Sequence, residues 1–204
     1  MIKSKKTKEK ILDASLKEFS SSGYAGARMD KIAVRAEVNK ALLFYYFSSK
    51  ENLYQEVLKH IIRRVIPKVR NIILLEQSPE GFLEKLPEVY IEFFYQNQSF
   101  VKMIAFDFVQ HTDMIKATFE QAIGRGFSQG PRLILKKIEK WYEKGKITES
   151  DPLQFMINII SLCLFVFIAR PILEVIFSQK IGDEQFIRKR IKSVTNLLKE
   201  GMLK

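Results

Sequence analysis

The sequence predicts an all-α protein of about nine helices, on three observations. Apolar residues recur at spacings of three and four almost throughout, β-branched alternation is scarce, and Ser, Asp and Gly stand where helices need to start and stop. A compact basic segment, residues 1–50, precedes a longer aromatic one, residues 51–204. At 204 residues the chain buries a sizeable core without staples.

The elements follow in order. Leu12, Leu16 and Phe19 form the stripe of a first helix that stops at Gly23. Met29, Ile32, Ala33 and Ala36 mark a short second helix, and a third runs from about Asn39 to Phe47. Ser48 as N-cap with Glu51 reaching back makes a capping box that starts a fourth helix, expected to bend or end near Pro67. Ser78-Pro79 opens a helix carrying Leu83, Leu86, Tyr90, Phe93 and Phe94, and Ser99 and Thr112 are the next caps. Gly124 to Pro131 weakens helical continuity; Leu135, Ile138 and Tyr142 then form a stripe ending at Gly145. Asp151-Pro152 and Gly182-Asp183 introduce the last two helices, about 152–178 and 183–202.

Charge and composition narrow the function. Net charge is +11, and residues 1–50 carry 11 Lys/Arg against 5 Asp/Glu, about +6 in the first quarter. Such a segment attracts phosphate polyanions or anionic lipid surfaces, and composition does not separate the two. One cysteine and two isolated histidines give neither a disulfide nor a cluster of soft metal ligands, so no metal or cofactor is expected. No Ser/His/Asp or Cys/His arrangement and no phosphate-binding glycine loop is present, so an enzyme is not expected. No export signal is read at the N-terminus, where Lys8, Glu9 and Lys10 occupy the place of an apolar region, and a reducing cytoplasm is expected. The run from Leu153 to Ala169 is the most hydrophobic in the chain, but it falls short of the roughly 18–20 apolar residues that cross a bilayer. No membrane span is expected; one side of that helix goes to the core and the other to a partner subunit.

The second and third helices, joined around Glu37-Val38, match a helix-turn-helix: one helix across the backbone, then a recognition helix in the major groove. Leu43 and Phe47 lie four apart and pack inward, which leaves Lys40, Ala41, Leu42, Phe44, Tyr45 and Tyr46 outward or sideways. Three consecutive aromatics cannot all be buried, so this face needs something to cover it.

Residues 7–54 resemble the DNA-binding domain of the TetR family of repressors. The resemblance is carried in order by Lys10-Ile11-Leu12-Asp13-Ala14 through Phe19, Gly23-Tyr24, Asp30-Lys31-Ile32-Ala33, Val38-Asn39-Lys40-Ala41-Leu42-Leu43-Phe44-Tyr45-Tyr46-Phe47 and Ser49-Lys50-Glu51-Asn52-Leu53. It implies DNA contacts from Arg28, Asn39, Lys40, Ala41, Leu42, Phe44, Tyr45, Tyr46 and Lys50. Lys40 and Lys50 would neutralise phosphates, Asn39 would hydrogen-bond a base edge or phosphate, and Ala41 and Leu42 would meet a thymine methyl. Three positions depart from the family. Phe44 stands where a tyrosine is usual, Tyr46 where a histidine is usual, and Ala27-Arg28 where the second helix usually begins with Ser or Thr.

For residues 51–204 the resemblance implies a helical ligand-binding and dimerisation domain. Tyr90, Phe93, Phe94, Phe106, Phe108, Phe119 and Trp141 would line an apolar pocket for a small, largely hydrophobic effector, or else form core. Phe155, Ile159, Leu162, Phe165, Val166, Ile172 and Ile176 are interface or core residues of a homodimer formed by the last two helices; sequence does not separate those roles. The function implied is a repressor that binds palindromic double-stranded operator DNA as a dimer and is released by an inducer. The alternative is a helical dimeric binding protein whose basic end meets anionic membranes or a protein partner.

Overall fold

The computed structural model describes residues 2–124 and 130–204, with side chains for 6–121 and 132–204. Ten helices occur among the described residues: α1 (Ile2–Gly26), α2 (Met29–Ala36), α3 (Lys40–Phe47), α4 (Lys50–Leu75), α5 (Pro79–Gln96), α6 (Gln98–Asp107), α7 (Thr112–Gly124), α8 (Gly130–Glu143), α9 (Pro152–Ile176) and α10 (Glu184–Met202). That is one more than the nine or so expected, and the helix expected to open at Ser99 begins instead after Asn97. The chain packs as two units. The first takes Met1–Arg63 and Asn97–Gly124, and the second Arg64–Gln96 and Arg125–Lys204. Helix α4 contributes residues to both.

In the first unit, α1 packs on α6 and α2, and α2 on α3. Its core is Ile11, Leu12, Phe19, Ile32, Ala36, Leu43, Phe47, Leu53, Tyr54 and Val57, with Phe100 and Met103 of α6. Burial of each such large side chain stabilises by roughly 1.5–3 kcal/mol. Helix α1 breaks at Gly23 (φ 64°, ψ 176°), where the sequence placed a terminator, and one further helical turn follows before α2. Helix α2 ends in Glu37 at φ 52°, the left-handed conformation of a helix C-terminus. Ser48 is the C-cap of α3, at φ 61°. The cap of α4 is Ser49, whose Oγ accepts from Asn52 N–H at 3.0 Å. The cap expected at Ser48 is therefore shifted by one residue and is a single bond, not a capping box, because the left-handed turn at Ser48 uses that residue to end α3 and the Ser49 N–H bonds the Phe47 carbonyl.

In the second unit, α5 packs on α9 and α10, and α8 on α9. Phe82, Leu83, Leu86, Ile91, Ile138, Trp141, Phe155, Ile159, Cys163 and Val194 are buried. Three of the caps read from sequence are formed, whereas Thr112 is the first residue of α7 and turns its hydroxyl back to donate to the Phe108 carbonyl instead of capping. Ser78 Oγ accepts from Gly81 N–H, Asp151 from Leu153 and Gln154, and Asp183 from Phe186. Ser99 is not a cap; Asn97 holds that position before α6 without a side-chain bond. Neither Pro67 nor Pro87 ends its helix. Gly145 (φ 64°) follows α8 as expected. The break expected over Gly124 to Pro131 falls in part on residues 125–129, outside the described residues. Lys146, Thr148, Met202 and Lys204 exchange backbone hydrogen bonds, and Ile147–Leu203 is an isolated antiparallel bridge.

Helix α9 runs past Ala169 to Ile176, because Arg170 and Glu174 pair along it (3.1 Å) and Pro171 does not stop it. At 25 residues it is long and apolar enough to cross a membrane by length and composition, which corrects the shorter span read from sequence. Phe155, Met156, Ile159, Cys163 and Val166 face the core of its unit. On the other side Ile157, Ile160, Ile168, Ile172 and Val175 recur at helical spacing and are exposed.

Candidate nucleic-acid interface

The sequence makes α3 a two-faced helix. Leu43 and Phe47 are buried against the unit's core, which turns Ala41, Phe44 and Tyr45 to the outside; Tyr45 is 80% exposed. Leu42 and Tyr46 sit at the edge, half-buried. The Tyr45 and Tyr46 rings meet edge to face at 5.4 Å. The surface is thus apolar and hydroxyl-bearing at once, suited to thymine methyls and phosphate oxygens.

Asn39 is the N-cap of α3. Its Oδ1 accepts from Leu42 N–H at 2.8 Å, so this oxygen is already engaged and the amide nitrogen is the group left to offer DNA. Lys40 pairs with Asp30 of α2 at 2.8 Å, and Lys10 pairs with Glu37. These exposed pairs tie α1, α2 and α3 together but are worth under about 1 kcal/mol each, so phosphates can compete for the lysines.

Arg28 is exposed and is the N-cap residue of α2, with no side-chain cap bond, in keeping with the missing Ser or Thr. Glu18 of α1 supplies part of the substitute. Its carboxylate, only 3% exposed, accepts from Arg28 N–H at 3.4 Å and stands 3.9 Å from the Arg35 guanidinium. An anionic group at a helix N-terminus is favoured by the helix dipole as well as by the bond.

Lys50 opens α4 and turns back over the last turn of α1. Its Nζ donates to the Ala25 carbonyl at 3.1 Å and lies 5.0 Å from the centroid of the Tyr24 ring. Partial burial lowers its pKa, and the charges of Asp107 and Glu18 oppose that shift. Beneath it, Phe19, Tyr24 and Tyr54 pack ring on ring, with Tyr54 edge-on to both at 5.0 and 5.3 Å. Asp107 of α6, 2% exposed, accepts from Tyr24 N–H at 2.9 and 3.1 Å and from the Tyr54 hydroxyl at 2.8 Å. Burial, then the bond to Asp107, pushes the Tyr54 phenol far up, so it stays a donor. Sequence reasoning did not find Glu18 or Asp107 as parts of this unit. Asp107 is 83 residues from Tyr24, and no local pattern encodes so distant a partner.

The remaining predicted residues divide between the units. Tyr90 and Phe94 stack at 6.2 Å, Phe93 meets Phe94 at 5.5 Å, and Phe167 joins them at 6.0 Å. Trp141 packs instead on Phe82 at 5.3 Å and donates its indole N–H to the Gln77 carbonyl. Phe106, Phe108 and Phe119 belong to the first unit; the first two are more than half exposed and Phe119 is half-buried. An open groove in the second unit is lined by Thr148, Asn158, Ser161, Leu162, Leu197 and Met202, away from the aromatic cluster. Of the α9 set, Phe155, Ile159 and Val166 are core, Leu162 is half-buried, and Phe165, Ile172 and Ile176 are each more than 60% exposed. Among the described residues no group of three or more His, Cys, Asp or Glu side chains could hold a metal ion.

Comparison with known proteins bears on the same segment. Residues 11–57 match the model of bacterial regulatory proteins of the tetR family. The chain is 29% identical over 192 residues to IcaR of Staphylococcus aureus, a negative transcriptional regulator of the icaADBC biofilm operon; the match covers 91% of this chain and 92% of that protein. It is 32% identical over 100 residues to the transcriptional repressor NicS of Pseudomonas putida, across 49% of this chain and 47% of that one. Two solved structures share the fold: the regulator FadR of Bacillus subtilis, in complex with stearoyl-CoA (TM-score 0.71, 16% identity, 93% of this chain and 96% of that), and the ketosteroid regulator KstR2 of Mycobacterium tuberculosis (0.73, 15%, 97% and 95%). Helix α3, with its Asn39 cap and aromatic outer face, lies inside the segment 11–57 that matches the tetR family of bacterial regulatory proteins, and the chain is similar over nearly its whole length to IcaR and in fold to FadR and KstR2.

Proposed function

We propose that the chain is a transcriptional repressor that grips palindromic operator DNA as a homodimer and lets go when a small, largely hydrophobic effector binds. The observation that carries the reading is α3, which buries Leu43 and Phe47 and presents Ala41, Phe44 and Tyr45 outward beside Lys40. An exposed aromatic face flanked by cations is matched by a major groove, with phosphates for Arg28, Lys40 and Lys50 and base edges for the side chains between them. Repression, rather than activation, accords with the names of IcaR and NicS.

The exposed side of α9, with Phe165, Ile172 and Ile176, is the proposed dimer face, joined by exposed Leu197 of α10. A contiguous apolar face of that kind needs a partner, and a second copy supplies a self-complementary one. A cytoplasmic location goes with this reading. The cluster of Tyr90, Phe93, Phe94 and Phe167 is the proposed apolar wall of the effector site. FadR holding stearoyl-CoA, and KstR2 being a ketosteroid regulator, support an effector with a large apolar body. Such an effector releases DNA by binding more tightly to the conformation in which the two recognition helices no longer fit the operator.

Selecting bound fragments from random duplex DNA with the purified protein tests the function. The expected product is a palindromic motif, bound with steep salt dependence and lost on charge reversal at Lys40 and Lys50. Recovery of no motif, with liposome binding that survives those substitutions, would overturn it.

A further inference from the structure

Asp107 lies outside the helix-turn-helix, 83 residues from Tyr24 and 53 from Tyr54, yet its carboxylate is the polar centre of the first unit. The break at Gly23 takes the Tyr24 N–H out of the α1 ladder, and Asp107 accepts it at both oxygens, 2.9 and 3.1 Å, as a cap delivered by another helix. The turn that follows is closed by Ala27 N–H to the Gly23 carbonyl at 3.2 Å. Both groups that hold the Lys50 ammonium, the Ala25 carbonyl and the Tyr24 ring, belong to this turn. Tyr54, one helical turn along α4 from Lys50, donates to the same carboxylate at 2.8 Å. His111 closes the far side, its ring edge-on to Tyr24 at 4.9 Å and its Nε2 4.0 Å from Asp107 Oδ1.

We infer that Asp107 is a positioning residue for DNA binding: it fixes the Tyr24–Gly26 turn and the start of α4, and so sets Lys50 where its phosphate lies. The inference rests on the DNA-reading function proposed above. A buried carboxylate does not itself touch a polyanion, so its effect is indirect. Lysine carries large rotamer freedom, and a perch that fixes its stem before DNA arrives removes that cost from binding. The carboxylate's charge also opposes the lowering of the Lys50 pKa by burial above Tyr24.

A mutant cycle on the full chain with the selected operator tests this. Asp107→Ala is expected to weaken binding about tenfold, as Lys50→Ala does, and to lower the slope of log affinity against log salt by about one, the loss of one phosphate contact. The Asp107→Ala/Lys50→Ala protein then binds no more weakly than Lys50→Ala alone, and Asp107→Asn, which keeps an acceptor for Tyr24 N–H, recovers most of the loss. Tyr54→Phe removes one hydroxyl and keeps the ring. Its expected loss is smaller, about threefold, and vanishes in the Lys50→Ala background; it carries the test if Asp107→Ala does not fold. Losses that multiply in the double variants, or a weakened affinity with an unchanged salt slope, would overturn the role of Asp107 while leaving operator binding intact. Wild-type protein that binds no operator in a salt-dependent way overturns the DNA reading itself.

Discussion

Replacing Asn39 separates two roles that one side chain fills. Its Oδ1 accepts from Leu42 N–H at 2.8 Å and caps an eight-residue helix whose inward anchors are Leu43 and Phe47. So short a helix has few bonds of its own, and loss of an N-cap costs about 1 kcal/mol, roughly a fivefold shift in the folded ratio. Asn39→Ala should therefore lower the unfolding free energy in urea by about 1 kcal/mol, whereas Asn39→Ser, which still caps, should change it by no more than a few tenths. On DNA the engaged oxygen forbids the two-bond pairing of asparagine with adenine, which needs the oxygen and the nitrogen together. Only the amide nitrogen remains, and one such hydrogen bond is worth about 1 kcal/mol. Asn39→Ser should thus weaken the operator complex about fivefold with stability held. Equal stability of the Ala and Ser variants would refute the capping role. A loss near a hundredfold for Asn39→Ser, confined to operators with adenine at one position, would show that Asn39 leaves its cap to read a base.

Three further outcomes follow from the geometry. Gly23→Ala places an L residue at φ 64°, with its Cβ 3.4 Å from Asp107 Oδ1, and should destabilise the protein by about 1–2 kcal/mol in urea; unchanged stability would mean that the break in α1 is not held. Burial pushes the Cys163 thiol up to about 12, partly offset by Arg190, and the Tyr90 phenol up to about 12. Both folded values lie above the unfolded ones, so their contribution is complete below the unfolded pKa of Cys163, 9.0, and is lost as pH rises towards 12. The urea midpoint should fall above that pH, and less in Cys163→Ala; identical curves, or rapid thiol labelling of the folded protein at neutral pH, would contradict the burial. Phe165→Glu with Ile172→Glu should convert the dimer to a folded monomer in sedimentation because both side chains are exposed, whereas Phe155→Ala should cost about 3–5 kcal/mol of stability; a double variant that remains dimeric refutes the proposed face.

Signals carried within one or two turns are legible in the sequence. The cap residues Ser78, Asp151 and Asp183 each bond the N–H two or three positions ahead, and Gly23 and Gly145 take the left-handed φ that ends a helix. Where local signals compete, the sequence is ambiguous. Ser48 and Ser49 are equally good caps on paper, and the left-handed turn that ends α3 decides between them by consuming Ser48. The same ambiguity held along α9. Periodicity identified an apolar helix but could not distinguish Phe155 from Phe165, because in a helix apolar all round the spacing no longer marks a face. Only packing against α5 and α8 assigns Phe155 to the core and leaves Phe165 outside.

The interface shows the complementary limit. The outward face of α3 was legible because its inward pair, Leu43 and Phe47, fixes by elimination which residues face out. The groups that hold that helix's surroundings in place were not, since the carboxylates of Glu18 and Asp107 act on backbone N–H groups, which carry no side-chain signature. Their positions had nonetheless left a mark. Gly23 with a broken ladder strands the Tyr24 N–H, and a stranded donor away from water demands an acceptor from somewhere. The acceptor is a nearly buried acid of the same unit, Asp107 at 2% exposed, and Glu18, 3% exposed, likewise accepts from the Arg28 N–H. A glycine that breaks a helix is therefore also a prediction: the donor it frees needs an acceptor if it is buried, although the chain alone does not say which.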